Sequence, residues 1–281
     1  MRRIVVIGHG FAALHAAQRL EQALEGRRYT DLTLVTDRAH FVYTPLLPHV
    51  VSGTVEVTDI AVGFDEILTD ETTIRVASVD QIEPRARRIQ TDEGSLEFDY
   101  LIFAPDGIPD WGQNPERKSD ALPFDTPTDA ATLRGRLDEF IEEPRDRPRH
   151  VAIVGGGRTG VELTAELHRT IQARSAPSSS SDDPAPVQLG LFERRAEILQ
   201  RLPEELRSTC RNWIDRAGVE IHTDVDVTAC TDNSLELADG TIVDTDATIW
   251  CGGWRPPGLV DDFGPEEIGR ASCRERVYCE V

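Results

Sequence analysis

Two short apolar runs organise the chain, the IVVI of RIVVI at Arg3 to Ile7 and VAIV at Val151 to Val154. Each breaks into glycines and then resumes as an apolar stripe at helical spacing. Uninterrupted apolarity over so short a run suits a parallel strand buried on both faces. After the first run, Ala13, Ala17, Leu20 and Leu24 recur at i, i+4, i+7 and i+11, which predicts a helix laid on a sheet. A strand at Leu32 to Thr36 completes a βαβ unit. After the second run the helical pattern continues to Leu167, and a strand follows at Val187 to Phe192.

The stretches between have their own signatures. Pro45 and Pro48 break Phe41 to Gly53 into a loop or short helix. From Thr73 to Ala104, the segments IRVASV, RIQT and EFDYLIFA, with a turn at Asp92-Glu93-Gly94, predict a small antiparallel ribbon that feeds back into the parallel sheet. Pro105 to Pro127 reads as a crossover containing a domain boundary. Leu133, Leu137, Phe140 and Ile141 mark an amphipathic helix that ends before Pro144 and Pro148. Ser175 to Pro186, SAPSSSSDDPAP, reads as a low-complexity surface loop. Leu206, Cys210, Trp213, Ile214 and Ala217 predict another packed helix. GVEIHTDVDV and a hairpin turning at Asp239-Gly240 predict three short strands, and a last strand in ATIWCGGWRPP runs into glycines.

Composition narrows the partners. Thirty basic against fifty acidic residues among 281 give a net charge of −20, which repels nucleic acid and anionic lipid. Such acidity suits a surface kept soluble in high salt, as in halophilic proteins. No apolar run is long enough for a membrane span, and the chain goes from Met1 directly into a strand, so a cytoplasmic protein without a signal peptide is expected. Cysteines at 210, 230, 251, 273 and 279 form no close pair of zinc-site spacing in the part expected to fold, and the histidines show no paired helical spacing, so no metal site is expected.

The glycines carry the chemistry. Gly155, Gly157 and Gly160 complete G-x-G-x-x-G between a strand and a helix, and Gly8, Gly10 and Ala13 complete G-x-G-x-x-A in the same setting. In this fingerprint the first glycine permits a tight turn, the second lets pyrophosphate approach the backbone at a helix N-terminus, and the third position lets helix and strand pack closely. Asp37 and Glu193 close the following strands, where an acid accepts hydrogen bonds from ribose hydroxyls. Glu193 would repel a 2′-phosphate, which favours NADH over NADPH, although Arg194 and Arg195 beside it leave NADPH use open.

Two such units in one chain resemble the two-dinucleotide flavoproteins. Within them, VTDRAHFVYTPLLPHVVSGTV, VAIVGGGRTGVELTAEL, LFERRAEILQRLP and DATIWCGGWRPP are most similar to type II NADH dehydrogenases. The resemblance covers most of residues 1–266. It implies an α/β fold of two Rossmann-like dinucleotide-binding domains, the second inserted into the first: FAD over 1–112, NAD(P)H over 113–250, and a return toward the FAD domain over 251–267.

Residue by residue, the resemblance assigns Gly8, Gly10, Phe11, Ala12, Ala13, Asp37, Arg38, Pro45, Leu46 and Ala104 to FAD, with Thr44 beside them. It assigns Gly155, Gly157, Thr159, Gly160, Glu193, Gly252 and Gly253 to the cofactor contacts around NADH. Glu162 matches a glutamate near flavin and nicotinamide and is the catalytic candidate. Read without the resemblance, Glu162 is equally a carboxylate in the first turn of a helix, where the dipole favours it. The implied reaction is hydride transfer from NADH to flavin, then two-electron reduction of a quinone.

The resemblance also admits a homodimer at full length and attachment to the cytoplasmic face of a membrane through a C-terminal region. Two alternatives stay open: a reductase that hands electrons to ferredoxin or oxygen, and a non-catalytic nucleotide-binding redox sensor. A disulfide reductase would need a cysteine pair beside the flavin, and residues 1–209 hold no cysteine.

The chain departs from the pattern at Ala104-Pro105-Asp106-Gly107, where A-T-G or A-L-G is usual. Ile268 to Tyr278, IGRASCRERVY, resembles the translation of a sequencing adapter. The expectation is therefore a truncation near Glu267, a tail over 268–281 without evolved function, and weak FAD binding for want of the domain's closing strand.

Overall fold

The computed structural model describes residues 2–26, 29–112, 120–143, 147–174 and 187–263. The expected surface loop 175–186, the arginine-rich tail and Cys273 and Cys279 lie outside them. The chain divides into two compact units. Unit 1 comprises Met1–Val42, Ala61–Ile108 and the chain from Arg255, and unit 2 comprises Tyr43–Ile60 and Pro109–Trp254.

Unit 1 begins with β1 (Arg2–Ile7), α1 (Phe11–Leu24) and β2 (Thr30–Thr36), then β3 (Thr72–Val76). An antiparallel ribbon of β4 (Val79–Glu83), β5 (Arg88–Thr91) and β6 (Gly94–Glu97) precedes β7 (Tyr100–Phe103). The sheet order is β3-β2-β1-β7, parallel throughout. Strand alternation decides which residue faces which layer. Ile4 and Val6 share a cluster with Ala13, Ala17 and Leu20 of α1, whereas Val5 and Ile7 pack with Ile82 and Ile89 of the ribbon and with Phe98.

Unit 2 repeats this plan. After β8 (Leu122–Pro123) and α2 (Pro127–Glu142), β9 (Arg149–Val154) leads into α3 (Arg158–Arg174), β10 (Val187–Phe192), α4 (Glu204–Arg216) and β11 (Glu220–His222). A second ribbon of β12 (Val227–Thr231), β13 (Ser234–Leu237) and β14 (Ile242–Asp244) precedes β15 (Ala247–Trp250). The parallel order is β8-β15-β9-β10-β11. Ala152 and Val154 face the ribbon's Val227, Cys230, Leu235 and Leu237. Ile153 and Leu191 are fully buried, and each such side chain contributes roughly 1.5 to 3 kcal/mol of transfer free energy. A reciprocal cap starts α2: Thr126 Oγ1 accepts from the Asp129 amide at 3.1 Å, and Asp129 Oδ2 accepts from the Thr126 amide at 2.8 Å.

Several local expectations are corrected. IRVASV and EFDYLIFA are not single segments: β3 and β7 join the parallel sheet, while β4 and β6 belong to the ribbon. Asp99 explains the second break, because its Oδ2 accepts the Arg3 amide at 2.8 Å and turns the chain beside β1. The region expected to give three strands after α4 gives four, β11 extending the parallel sheet and β12 to β14 forming the ribbon. In α4 only Ile214 is buried, and Leu206 and Trp213 are exposed, Trp213 meeting the His168 ring of α3 edge-on with centres 5.6 Å apart. Phe41 to Gly53 resolves into a 3-10 turn at Thr44–Leu46 and a short helix at Leu47–Val51, which packs on α2 and α3.

Candidate functional site

In both units the glycine loop sits at the carboxyl end of the central strand. Gly8 and Gly155 adopt φ of +138° and +114°, values that L side chains rarely take. A Cβ at Gly8 would overlap the carbonyl of Ala104, just past β7, and a Cβ at Gly155 would overlap that of Cys251, just past β15. The same strand crossing thus requires the first glycine in both fingerprints.

The other two positions differ between units. Gly160 lies so close to the Gly155 carbonyl that a Cβ there would overlap it, while unit 1 accommodates the fully buried Cβ of Ala13. Gly157 is exposed and a Cβ on it would meet nothing, the open approach that a pyrophosphate needs. At Gly10 the matching space holds the Asp106 carboxylate, whose Cγ lies 2.6 Å from where a Cβ would stand.

The terminal acids also differ. Glu193 binds its own loop: Oε2 accepts the Gly156 amide at 2.7 Å and Oε1 the Arg195 amide at 2.9 Å. Asp37 instead meets a side chain, with His9 Nδ1 at 2.8 Å from its Oδ1 and Arg38 Nε at 3.3 Å. The opposite face of the imidazole meets Asp106, Nε2 to Oδ2 at 3.0 Å. His9 therefore bridges two carboxylates. The His9 hydrogen bond holds the Asp37 carboxyl well below the usual range, whereas burial pushes Asp106 up against the pull of His9 and Arg38.

Of the remaining candidates, Phe11 and Ala12 are exposed at the start of α1, Phe11 packing edge-on against Phe41 with ring centres 5.0 Å apart. Thr44 and Pro45 are exposed and Leu46 half-buried in their 3-10 turn. Thr159 is half-buried in the first turn of α3, and Gly252 and Gly253 are exposed after β15. Glu162 is exposed and is the fifth residue of α3, past the first turn where it was expected, because the helix begins at Arg158. Helix-dipole stabilisation therefore explains it less well.

Sequence reasoning missed several groups. Glu166, one turn beyond Glu162, is buried; it pairs with Arg169 at 2.6 Å and lies 3.4 Å from His49 Nδ1, and the Arg169 hydrogen bond lowers its pKa. Asp125, half-buried just before the α2 cap, is pushed up to about 7 by burial and by the Asp129 charge. Burial, reinforced by Asp125, raises the Cys251 thiol. His9, between the glycines, and Asp106, in the departure from the usual A-T-G, were the visible signals for the bridge in unit 1.

These features fit two dinucleotides, with open space at Gly157 and an anchored acid in unit 2, and in unit 1 a cradle complete except for the carboxylate standing in it. A profile of the pyridine nucleotide-disulphide oxidoreductases matches residues 2–269. The chain belongs to this family. Among its relatives, the demethylphylloquinone reductase NdbB of Synechocystis is 31% identical over 289 residues, covering 99% of this chain and 68% of that protein. The type II NADH:quinone oxidoreductase of Haemophilus influenzae is 25% identical over 304 residues, covering 96% of this chain and 68% of that protein.

The fold of this pyridine nucleotide-disulphide oxidoreductase matches that of NDH2 from Plasmodium falciparum, solved with NADH, at a TM-score of 0.77 and 20% identity over 93% of this chain. The chain spans 57% of that protein. The α/β architecture with Rossmann-type parallel sheets is thus shared with that protein.

Proposed function

We propose that this protein is an FAD-dependent oxidoreductase that takes a hydride from NADH and passes two electrons to a quinone. The observation that carries the reading is the paired cradle: the same strand crossing demands a positive-φ glycine at Gly8 and again at Gly155. Relatives named for NADH and quinone support the choice of substrates. Bound FAD would supply the redox chemistry, accepting the hydride and releasing electrons to the acceptor.

The chain's own residues supply positioning. The N-terminus of α1, with Gly8, Gly10, Phe11, Ala12 and Ala13, holds the FAD pyrophosphate, and Asp37 accepts ribose hydroxyls with Arg38 beside it. The N-terminus of α3, with Gly155, Gly157, Thr159 and Gly160, holds the NADH pyrophosphate. Glu193 accepts the adenosine ribose, and its charge disfavours the 2′-phosphate of NADPH. Ala104 of unit 1 and, by the family resemblance, Pro45 and Leu46 serve FAD, Gly252 and Gly253 serve the contacts around NADH, and Glu162 orients the nicotinamide. Residues 1–112 and 113–250 carry the FAD and NADH functions respectively, and the protein meets its quinone at the cytoplasmic face of a membrane.

Steady-state NADH oxidation with FAD supplied, comparing quinone, ferricyanide and oxygen, tests the reading. Quinone-dependent turnover is expected. Turnover with oxygen alone would point to an oxidase, and binding without turnover to a sensor.

A further inference from the structure

The seat for a phosphate at the second glycine is open in unit 2 and filled in unit 1. Gly157 faces empty space, whereas a Cβ on Gly10 would run into Asp106 Oδ1, Oδ2 and Cγ. α1 has no acidic residue in its first turn, and its N-cap Gly10 has no side chain to cap it, so the carboxylate over its positive end comes from 96 residues away. That carboxylate is incompletely satisfied: Oδ2 is buried, lies at ion-pair distance from His9 Nε2 and accepts no hydrogen bond. His9 is anchored on its other side by Asp37 at 2.8 Å.

We propose that Asp106 is a built-in anion that occupies the pyrophosphate seat of unit 1, held there by His9, and that a dinucleotide must displace it to bind. The inference rests on the reading of unit 1 as the FAD cradle. A pyrophosphate and a carboxylate are alike in charge and in their demand for amide donors, so both cannot hold the same helix end. Asp106 lies in the short loop after β7, Ala104 to Gly107, outside any strand or helix and two residues past the Ala104 amide that donates to the Ile7 carbonyl at 2.9 Å. It can therefore leave without unravelling β1 or α1. On departure, the His9 imidazole and the Arg38 guanidinium remain beside the incoming phosphates as hydrogen-bond donors, so the latch becomes part of the cradle.

The test is equilibrium binding of FAD, and of ADP as a smaller pyrophosphate probe, to the whole chain carrying Asp106→Ala or Asp106→Asn, followed by flavin fluorescence and calorimetry. Both variants are expected to bind FAD and ADP at least about tenfold more tightly than the parent, with NADH affinity at unit 2 unchanged. Asp106→Asn keeps the shape and removes the charge, so it serves if the alanine variant melts early. Equal or weaker FAD binding by the variants, against measurable binding by the parent, overturns the proposal. If no protein binds FAD or ADP while all bind NADH, the FAD reading of unit 1 fails and takes the proposal with it.

Discussion

The two units use one plan and depart from each other at three points of their cradles. Both place a glycine under the carbonyl that follows the last strand, Gly8 beneath Ala104 and Gly155 beneath Cys251. Unit 1 then tolerates Ala13 where unit 2 needs Gly160. It fills with Asp106 the space that unit 2 leaves open at Gly157, and the acid at the end of its second strand, Asp37, meets a histidine where Glu193 of unit 2 meets the loop's own amides. What is common follows from the strand crossing, which is a backbone constraint. What differs lies in side chains, where ligand choice is made.

The largest break in this comparison should come at the third position. Gly160→Ala drives a Cβ into a backbone carbonyl that cannot rotate away, so a loss of about 3 kcal/mol or more is expected on thermal unfolding. The reverse exchange, Ala13→Gly, should cost less, about 2 kcal/mol, from helix propensity and a lost buried methyl. Equal effects would show that the two helices sit on their strands in the same way. Next, Glu193→Ala should lower NADH affinity about ten- to a hundredfold by removing a charged acceptor, and should narrow the preference over NADPH, as read by calorimetry.

The smallest effect is one of pH. The depressed carboxyl of Asp37 contributes stability that is present above the unfolded carboxylate pKa and lost as pH falls below it. Asp125 does the opposite: its raised pKa favours the fold below the unfolded value of 3.8, and this contribution is lost as pH rises toward about 7. Asp125→Asn should therefore stabilise the protein at pH 8 by about 1 kcal/mol, allowing for solvent screening of a half-buried group, and change nothing near pH 3. Denaturant melts at both values check the sign.

Much of this was legible in the sequence. The fingerprints, their flanking strands and the acids at Asp37 and Glu193 are local in the chain, and period and spacing suffice for them. The Asp106 plug was not legible as such, because its meeting with Gly10 depends on β7 lying next to β1. Nor was the divided role of IRVASV and EFDYLIFA, since a strand's pairing partner is a matter of topology, while its alternation is visible locally. Leu206 and Trp213 misled for a third reason. Their helical spacing is genuine, but periodicity says that a stripe exists, not that the rest of the fold covers it.

The central claim is that two like-built cradles serve two different dinucleotides, with the open one in unit 2 taking NADH. Gly157→Val tests it most directly, because a Cβ there meets no protein atom within 4 Å and yet enters the space proposed for pyrophosphate. The variant should keep the parent's thermal midpoint and FAD affinity and lose NADH binding by at least about a hundredfold. NADH binding at the parent's affinity by a folded Gly157→Val protein would contradict the account.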